Sequence, residues 1–259
     1  MSILTTRPFW VLILLLLFLT ALAMVGPLLI RRRVPLEKLR TNNEVAGFKF
    51  ATIGVLYAVL LAFVVIIAWE RFHDAEKALA QEAGSAATIY GLSAGLDAGD
   101  AAELRSRVSA YLESILAQEW PAMAAGHWSP ATTAALRRVY QVVVRYQPTD
   151  MRDSDLQQEL YRELDRLTEA RRERLVMAEG TVPDVIWFVL LLGATLTIGF
   201  TFLFGTQHVI IQSVMTGVLA ALIFSAILVV IAVDRPFSGA VVVSREPIRT
   251  VLEDMQAGP

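Results

Sequence analysis

The chain contains no cysteine. That excludes disulfides, thiolate metal sites and a cysteine nucleophile. Histidine is scarce: His73, His127 and His208 lie far apart, and each reads as an ordinary surface or interface residue. No P-loop, dinucleotide-binding glycine pattern, HExxH or GxSxG motif occurs. Neither catalysis nor a cofactor is therefore expected. The net charge of −2 gives no bulk attraction to nucleic acid. Asp150, Asp153 and Asp155 gather before a helix, but the glycine and the distal glutamate of a calcium loop are missing. They read as a helix cap, and no metal is expected. Charge is also missing from four long apolar runs, 9–30, 48–69, 185–204 and 209–233, apart from Lys49 at the lip of the second.

Those runs decide the class. A bilayer core of ~30 Å takes roughly 20 apolar residues at helical rise, and a soluble core helix would show a polar face instead. The expected fold is an all-α integral membrane protein. Four transmembrane helices form two pairs, with an extramembrane helical bundle between helices two and three. The segments are 1–70 (first pair with a basic link), 71–182 (bundle), 183–233 (second pair) and 234–259 (extramembrane tail). Charge inside a bilayer is costly and usually functional, so its absence argues against a proton pump or an ion-coupled transporter. The polar groups present are milder: Thr52, Tyr57, Thr195, Thr197, Thr201, Gln212, Ser213, Thr216 and Ser225. Their hydroxyls are expected to bond back to their own helices. Ser213, Gly217, Ala221 and Ser225 recur every four residues and form a small-residue ridge for close helix packing.

Ala21-Leu22-Ala23 fits a small-residue cleavage pattern. The apolar run continues to Ile30, however, and Arg31-Arg32-Arg33 follows it, whereas only Arg7 precedes it. The run therefore reads as a retained helix. The short link 31–46 carries Arg31, Arg32, Arg33, Lys38 and Arg40 against Glu37 and Glu44, which places it on the cytoplasmic side. The termini and region 71–182 then lie on the other side.

Region 71–182 reads as helices. The second run continues without a breaker to about Leu96. Asp100 with Glu103 suggests a capping box, followed by a stripe of Leu104, Val108, Tyr111, Leu112, Ile115 and Leu116 that Pro121 ends. Ser129-Pro130 is a cap followed by proline at the first helical position. Leu136, Val139, Tyr140, Val143 and Tyr146 form the next stripe, stopped at Pro148. Asp153 or Ser154 starts the last helix, with Leu156, Leu160, Leu164, Leu167, Arg171 and Leu175 along one side. The only strand-like stretch is 240–243. Amphipathic helices with short joins indicate a bundle.

Lys49 and Arg71 stand near opposite ends of helix two. One reading makes them snorkelling interfacial anchors. The other makes them rings of charge at the mouths of a pore in a symmetric oligomer. The intervening Ile53, Leu56, Leu60, Phe63 and Ile67 would then form a hydrophobic constriction that gates by wetting. Asp234-Arg235-Pro236 reads as a turn after helix four. A further reading is that Asp234 or Arg235 meets Glu70 or the Arg171, Arg172 and Arg174 cluster and locks the extension onto the membrane helices. Such charges are costly to bury unless paired.

Several motifs together resemble the bestrophin-like domain family of bacterial and plant membrane proteins. They are Gly54-Val55-Leu56-Tyr57-Ala58-Val59-Leu60-Leu61-Ala62-Phe63 through Trp69-Glu70; Glu82 and Tyr90; Glu119-Trp120-Pro121; Arg171-Arg172-Glu173-Arg174-Leu175 before Pro183 and Trp187; and Asp234-Arg235-Pro236-Phe237-Ser238-Gly239 leading to Val242 and Ser244. The resemblance covers about residues 40–255. It implies a relationship to bestrophins, pentameric ion channels with the second membrane helix around a central pore. It also implies cytoplasmic termini and a cytoplasmic helical region, opposite to what the arginine link indicates. The acidic calcium cluster of animal bestrophins has no match here. The expected function is an oligomeric ion channel, a pentamer by that resemblance, with the bilayer and inorganic ions as partners. The competing class is a non-conducting membrane scaffold or sensor whose bundle binds another protein.

Overall fold

The computed structural model describes residues 9–180 and 182–257; Arg7 lies outside them. The described residues form helices and no strand. The order is α1 (Phe9–Arg33), α2 (Leu36–Thr41), α3 (Asn43–Leu92), a 3₁₀ turn (Ser93–Gly95), α4 (Ala98–Ser114), a π-turn (Ile115–Glu119), α5 (Trp120–Ala124), α6 (Pro130–Arg145), α7 (Met151–Met177), α8 (Asp184–Thr201), α9 (Val209–Val233) and α10 (Glu246–Ala257). Four of these, α1, α3, α8 and α9, are long and apolar enough to cross a membrane.

The chain divides into two compact units. The first comprises 1–70, 181–234 and 239–241. Here α1 packs lengthwise on α9, which also packs on α8. Without water to drive association, membrane helices gain from close van der Waals approach. Gly217 supplies it: a Cβ there would stand 2.7 Å from Met24 Cγ. The small-residue ridge is only partly used. Ser213 and Gly217 are buried, Ala221 is half-buried and Ser225 is exposed. A four-residue step advances about 40° round the helix, so the row winds out of the contact. The Ser225 hydroxyl bonds back to Leu222 O at 2.8 Å, and that of Thr195 to Leu191 O at 2.8 Å. Tyr57 differs: its hydroxyl donates across to Leu190 O on α8 at 3.0 Å.

Where the chain turns from α8 to α9, Asn43 clamps Gly205. The Asn43 amide donates to Gly205 O at 2.8 Å, and Gly205 N–H donates to Asn43 Oδ1 at 2.9 Å. A ring cluster of Phe50, Phe200 and Phe204 packs in the same unit.

The second unit comprises 71–180, 235–238 and 242–259. Its core is the interior of a helical bundle: Leu79, Ile89, Leu104, Val108, Leu112, Val139, Leu160, Leu164 and Leu167 are fully enclosed. α4 packs mainly on α6, and α6 on α7. Three expected helix boundaries move. Asp97, not Asp100, stands at the N-cap of α4. Asp150, not Asp153 or Ser154, caps α7 by accepting Asp153 N–H at 2.8 Å, while Asp153 reaches back to Thr149 N–H at 3.0 Å. The cap thus lies about one turn earlier than the sequence suggested. Pro121 does not stop the helix, because the π-turn has already interrupted the ladder and Pro121 falls in the first turn of α5, where its missing N–H costs little. The Ser129-Pro130 cap holds, with Thr132 N–H donating to Ser129 Oγ at 3.2 Å.

The stretch 240–243 is irregular rather than a strand, and a helix foreseen nowhere, α10, follows it. Its Ile248, Leu252 and Met255 are buried. Tyr90 donates to Met255 O at 3.1 Å.

Gly205 tests the clamp. A Cβ there would stand 2.7 Å from the backbone nitrogen of Arg40, which cannot swing aside, whereas one at Gly199 meets nothing within 4 Å. Gly205→Ala should destabilise the protein by about 1–3 kcal/mol and lower its thermal midpoint in detergent. Gly199→Ala should leave the midpoint unchanged or raised. Equal midpoints for the two variants would remove the clamp from the account.

Candidate pore helix and buried charge network

Along α3, Tyr57, Leu61, Val64 and Ala68 are buried by the rest of the chain. At about 100° per residue, the candidate pore stripe lies roughly a quarter-turn from that packed face. Lys49, Leu56, Phe63, Ile67 and Arg71 are exposed in the single chain, and Ile53 and Leu60 are half-buried. Phe63 is 61% exposed and Leu56 68%. Phe48, Val55, Val59 and Ile66 continue the uncovered surface around the helix. Lys49 and Arg71 are 22 residues apart, about 33 Å at helical rise. That spacing matches a hydrocarbon core of ~30 Å.

The second unit holds a different construction. α7 carries Arg171 and Arg174 on the same face as its buried leucines, so both guanidiniums enter the bundle. Arg174 has no exposed surface. It forks onto Glu82 of α3 (Nε to Oε2, 2.5 Å; Nη2 to Oε1, 3.0 Å) and reaches Glu119 Oε2 at 2.6 Å. Its Nη1 approaches Met123 Sδ at 3.0 Å. Arg171 forks onto Glu119 (Nη2 to Oε1, 2.6 Å; Nε to Oε2, 3.2 Å) and donates to Thr133 Oγ1 at 2.9 Å. Tyr111 donates its hydroxyl to Glu82.

Paired guanidiniums and carboxylates of equal number cancel in charge, and the forked geometry uses most of their donors and acceptors. Burial pushes the Glu119 carboxyl up, but the Arg171 hydrogen bond and the charges of Arg174 and Arg171 outweigh it and hold it below the usual value. Burial opposes ionisation of Arg174 and Arg171, yet Glu82 and Glu119 raise them respectively above the ordinary arginine range. Burial, with the Glu82 charge, pushes the Tyr111 phenol well up, so it stays a neutral donor.

Of the other lock candidates, Arg172 and Glu70 are exposed and Arg235 is half-buried. Pro236 is buried and its carbonyl accepts Val243 N–H at 2.8 Å. Asp234 is buried, and its Oδ1 accepts Val182 N–H at 2.9 Å just ahead of α8. Phe237, from the same turn, meets the Trp120 ring edge-on at 5.5 Å, and the Arg245 guanidinium lies 5.0 Å over that indole.

Sequence reasoning found Arg171 and Arg174 but not their carboxylates, which it quoted only as motif matches. A signal was present. Glu82 falls on the helical repeat of Ala75, Leu79, Ala86 and Ile89, and Glu119 on that of Leu112 and Ile115, all core positions. An acid in an apolar stripe asks for a buried base.

A family model described as a bestrophin-like domain matches residues 17–248. Among solved structures, a point variant of a bacterial bestrophin homologue from Klebsiella pneumoniae superposes with a TM-score of 0.71 at 14% identity, covering 94% of this chain and 99% of that one. A second variant of that homologue gives 0.67 at 13% identity, with coverages of 93% and 99%. A structure described only as a membrane protein gives 0.70 at 15% identity, with 93% and 97% covered. At such identities the likeness is one of fold. No curated protein sequence matches the chain.

The network predicts an acid limit. A carboxyl whose folded value is depressed stabilises the fold above the unfolded value, here near 4.5. That contribution is lost as pH falls through the depressed folded value. Glu119→Ala should cost about 3–5 kcal/mol at neutral pH by leaving buried guanidiniums uncompensated. In thermal melts taken from neutral pH down to acid, the wild type should lose its advantage over Glu119→Gln below that point. A constant gap between the two down to the acid limit would contradict the assignment.

Proposed function

The chain belongs to the bestrophin-like domain family, and on that premise we propose that it is an oligomeric ion channel of a bacterial inner membrane. The α3 helices of the subunits surround a central path. Support comes from one observation above all: α3 is packed by its own chain on one face only, and the uncovered remainder is apolar across the span of a bilayer. Leu56, Leu60, Phe63 and Ile67 form the constriction, with Ile53 towards the end that Lys49 marks and Arg71 at the other mouth. A ring of such side chains closes a pore by expelling water. Asp234, Arg235 and Pro236 hold the turn after α9 as a structural element rather than a conducting one.

A second reading is a non-conducting scaffold or sensor. Trp128, Val144 and Val176, exposed apolar side chains of the second unit, favour it as contact points for another protein.

Planar-bilayer recordings separate the two. Wild-type protein should show rare openings, and Phe63→Ala or Leu60→Ala should raise the leak several-fold by widening and wetting the constriction. Unchanged, silent membranes with normally assembled variants would favour the scaffold.

A further inference from the structure

A cavity of about 350 Å³ opens in the second unit between one face of α7 and the loop that follows α5. From α7 come Thr168, Arg171, Arg172, Leu175 and Val176, and from the turn just past its end Ala178 and Glu179. The α7 members, three and four residues apart, share one face over about two turns. The loop supplies Gly126, His127 and Trp128. Gly126 has φ +78°, a conformation that suits glycine and turns the chain over the helix.

We propose that this cavity binds a small organic carboxylate, with Arg171 and Arg172 gripping the carboxylate and Trp128 lying against the apolar body. Arg171 is more than nine-tenths buried. Its Nε and Nη2 are committed to Glu119 and Thr133. Its Nη1 has no hydrogen-bond partner among the described residues, though Arg171 lines the cavity. That nitrogen is not closed off from solvent, so an incoming acceptor can reach it, and a planar anion is the group that fits a guanidinium edge. Arg172, exposed on the same wall, makes no ion pair or hydrogen bond among the described residues.

Charge and size narrow the ligand. Arg171 is already paired with Glu119, which leaves Arg172 and Glu179 as the unpaired charges of the wall, so a monoanion is favoured over a dianion. A chloride or phosphate alone would leave most of 350 Å³ to water. That volume is at the small end of the range for organic ligands, about 300–1,000 Å³. Leu175, Val176, Ala178 and the Trp128 indole provide an apolar wall for a ring or short chain. Nothing in this arrangement depends on whether α3 lines a pore.

Titration calorimetry of the full chain in detergent, with sodium benzoate as probe, tests the site. Benzoate should bind saturably, and benzylamine, the same ring with the opposite charge, should not. Arg172→Gln should weaken benzoate about tenfold or more, the loss of one charged hydrogen-bonded contact, with no change in thermal midpoint. Trp128→Ala should weaken it too, which separates this cavity from the neighbouring one that Arg172 also lines, since Trp128 is not part of that wall. Absence of saturable benzoate binding would overturn the proposal. So would an affinity untouched by both substitutions, or equal binding of benzylamine.

Discussion

One unbroken helix, Asn43–Leu92, has to satisfy two solvents, and the rest of the structure follows from how it does so. Over its first part lipid takes the place of water. The backbone there is continuous α-helix, which bonds its own polar groups as hydrocarbon requires, and side-chain polarity is confined to a few groups such as Tyr57, which finds a carbonyl on α8. Past Arg71 the same helix becomes a member of a bundle. Its inward face turns to alanine, and at Glu82 it presents a carboxylate where a leucine would ordinarily sit. No proline interrupts the change.

That carboxylate organises the second unit. Replacing a buried ion-pair cluster by apolar side chains is often neutral or stabilising, so net stability is a weak account of its presence. Register is a better one. Glu82 on α3, Glu119 on the π-turn, Thr133 on α6 and the two arginines on α7 meet only if every element is placed correctly. A slide of α7 by one turn, about 5.4 Å, would leave four charges buried and unpaired. The π-turn Ile115–Glu119 fits the same logic: it rotates Glu119 inward and lets Trp120 meet Phe237 edge-on. Leu112 and Ile115 alone would not demand that geometry.

The large elements were legible in the sequence because their signals are long. Four runs free of charge, the leucine stripe of α7 and the Ser129-Pro130 cap each depend on residues within one segment. What was missed depends on distant partners. Glu82 and Glu119 look like surface acids until their apolar neighbours are counted. Asp150 and Asp153 both resemble caps, and only the bond from Asp153 N–H to the Asp150 carboxylate decides between them. α10 was hidden because it is short and rich in charge, with just three buried apolar side chains, Ile248, Leu252 and Met255. On α9, equal four-residue spacing suggested one ridge from Ser213 to Ser225, but a four-residue step overshoots a full turn, and only Ser213 and Gly217 are buried.

A central path requires α3 to face an axis shared by several copies, and a single chain leaves that helix largely uncovered. Native mass spectrometry of the detergent-solubilised protein tests this most directly. A closed assembly at a whole multiple of the 28.6 kDa subunit, near five copies, is the predicted result. A monomer or dimer would contradict it, because no central path could then be enclosed by α3.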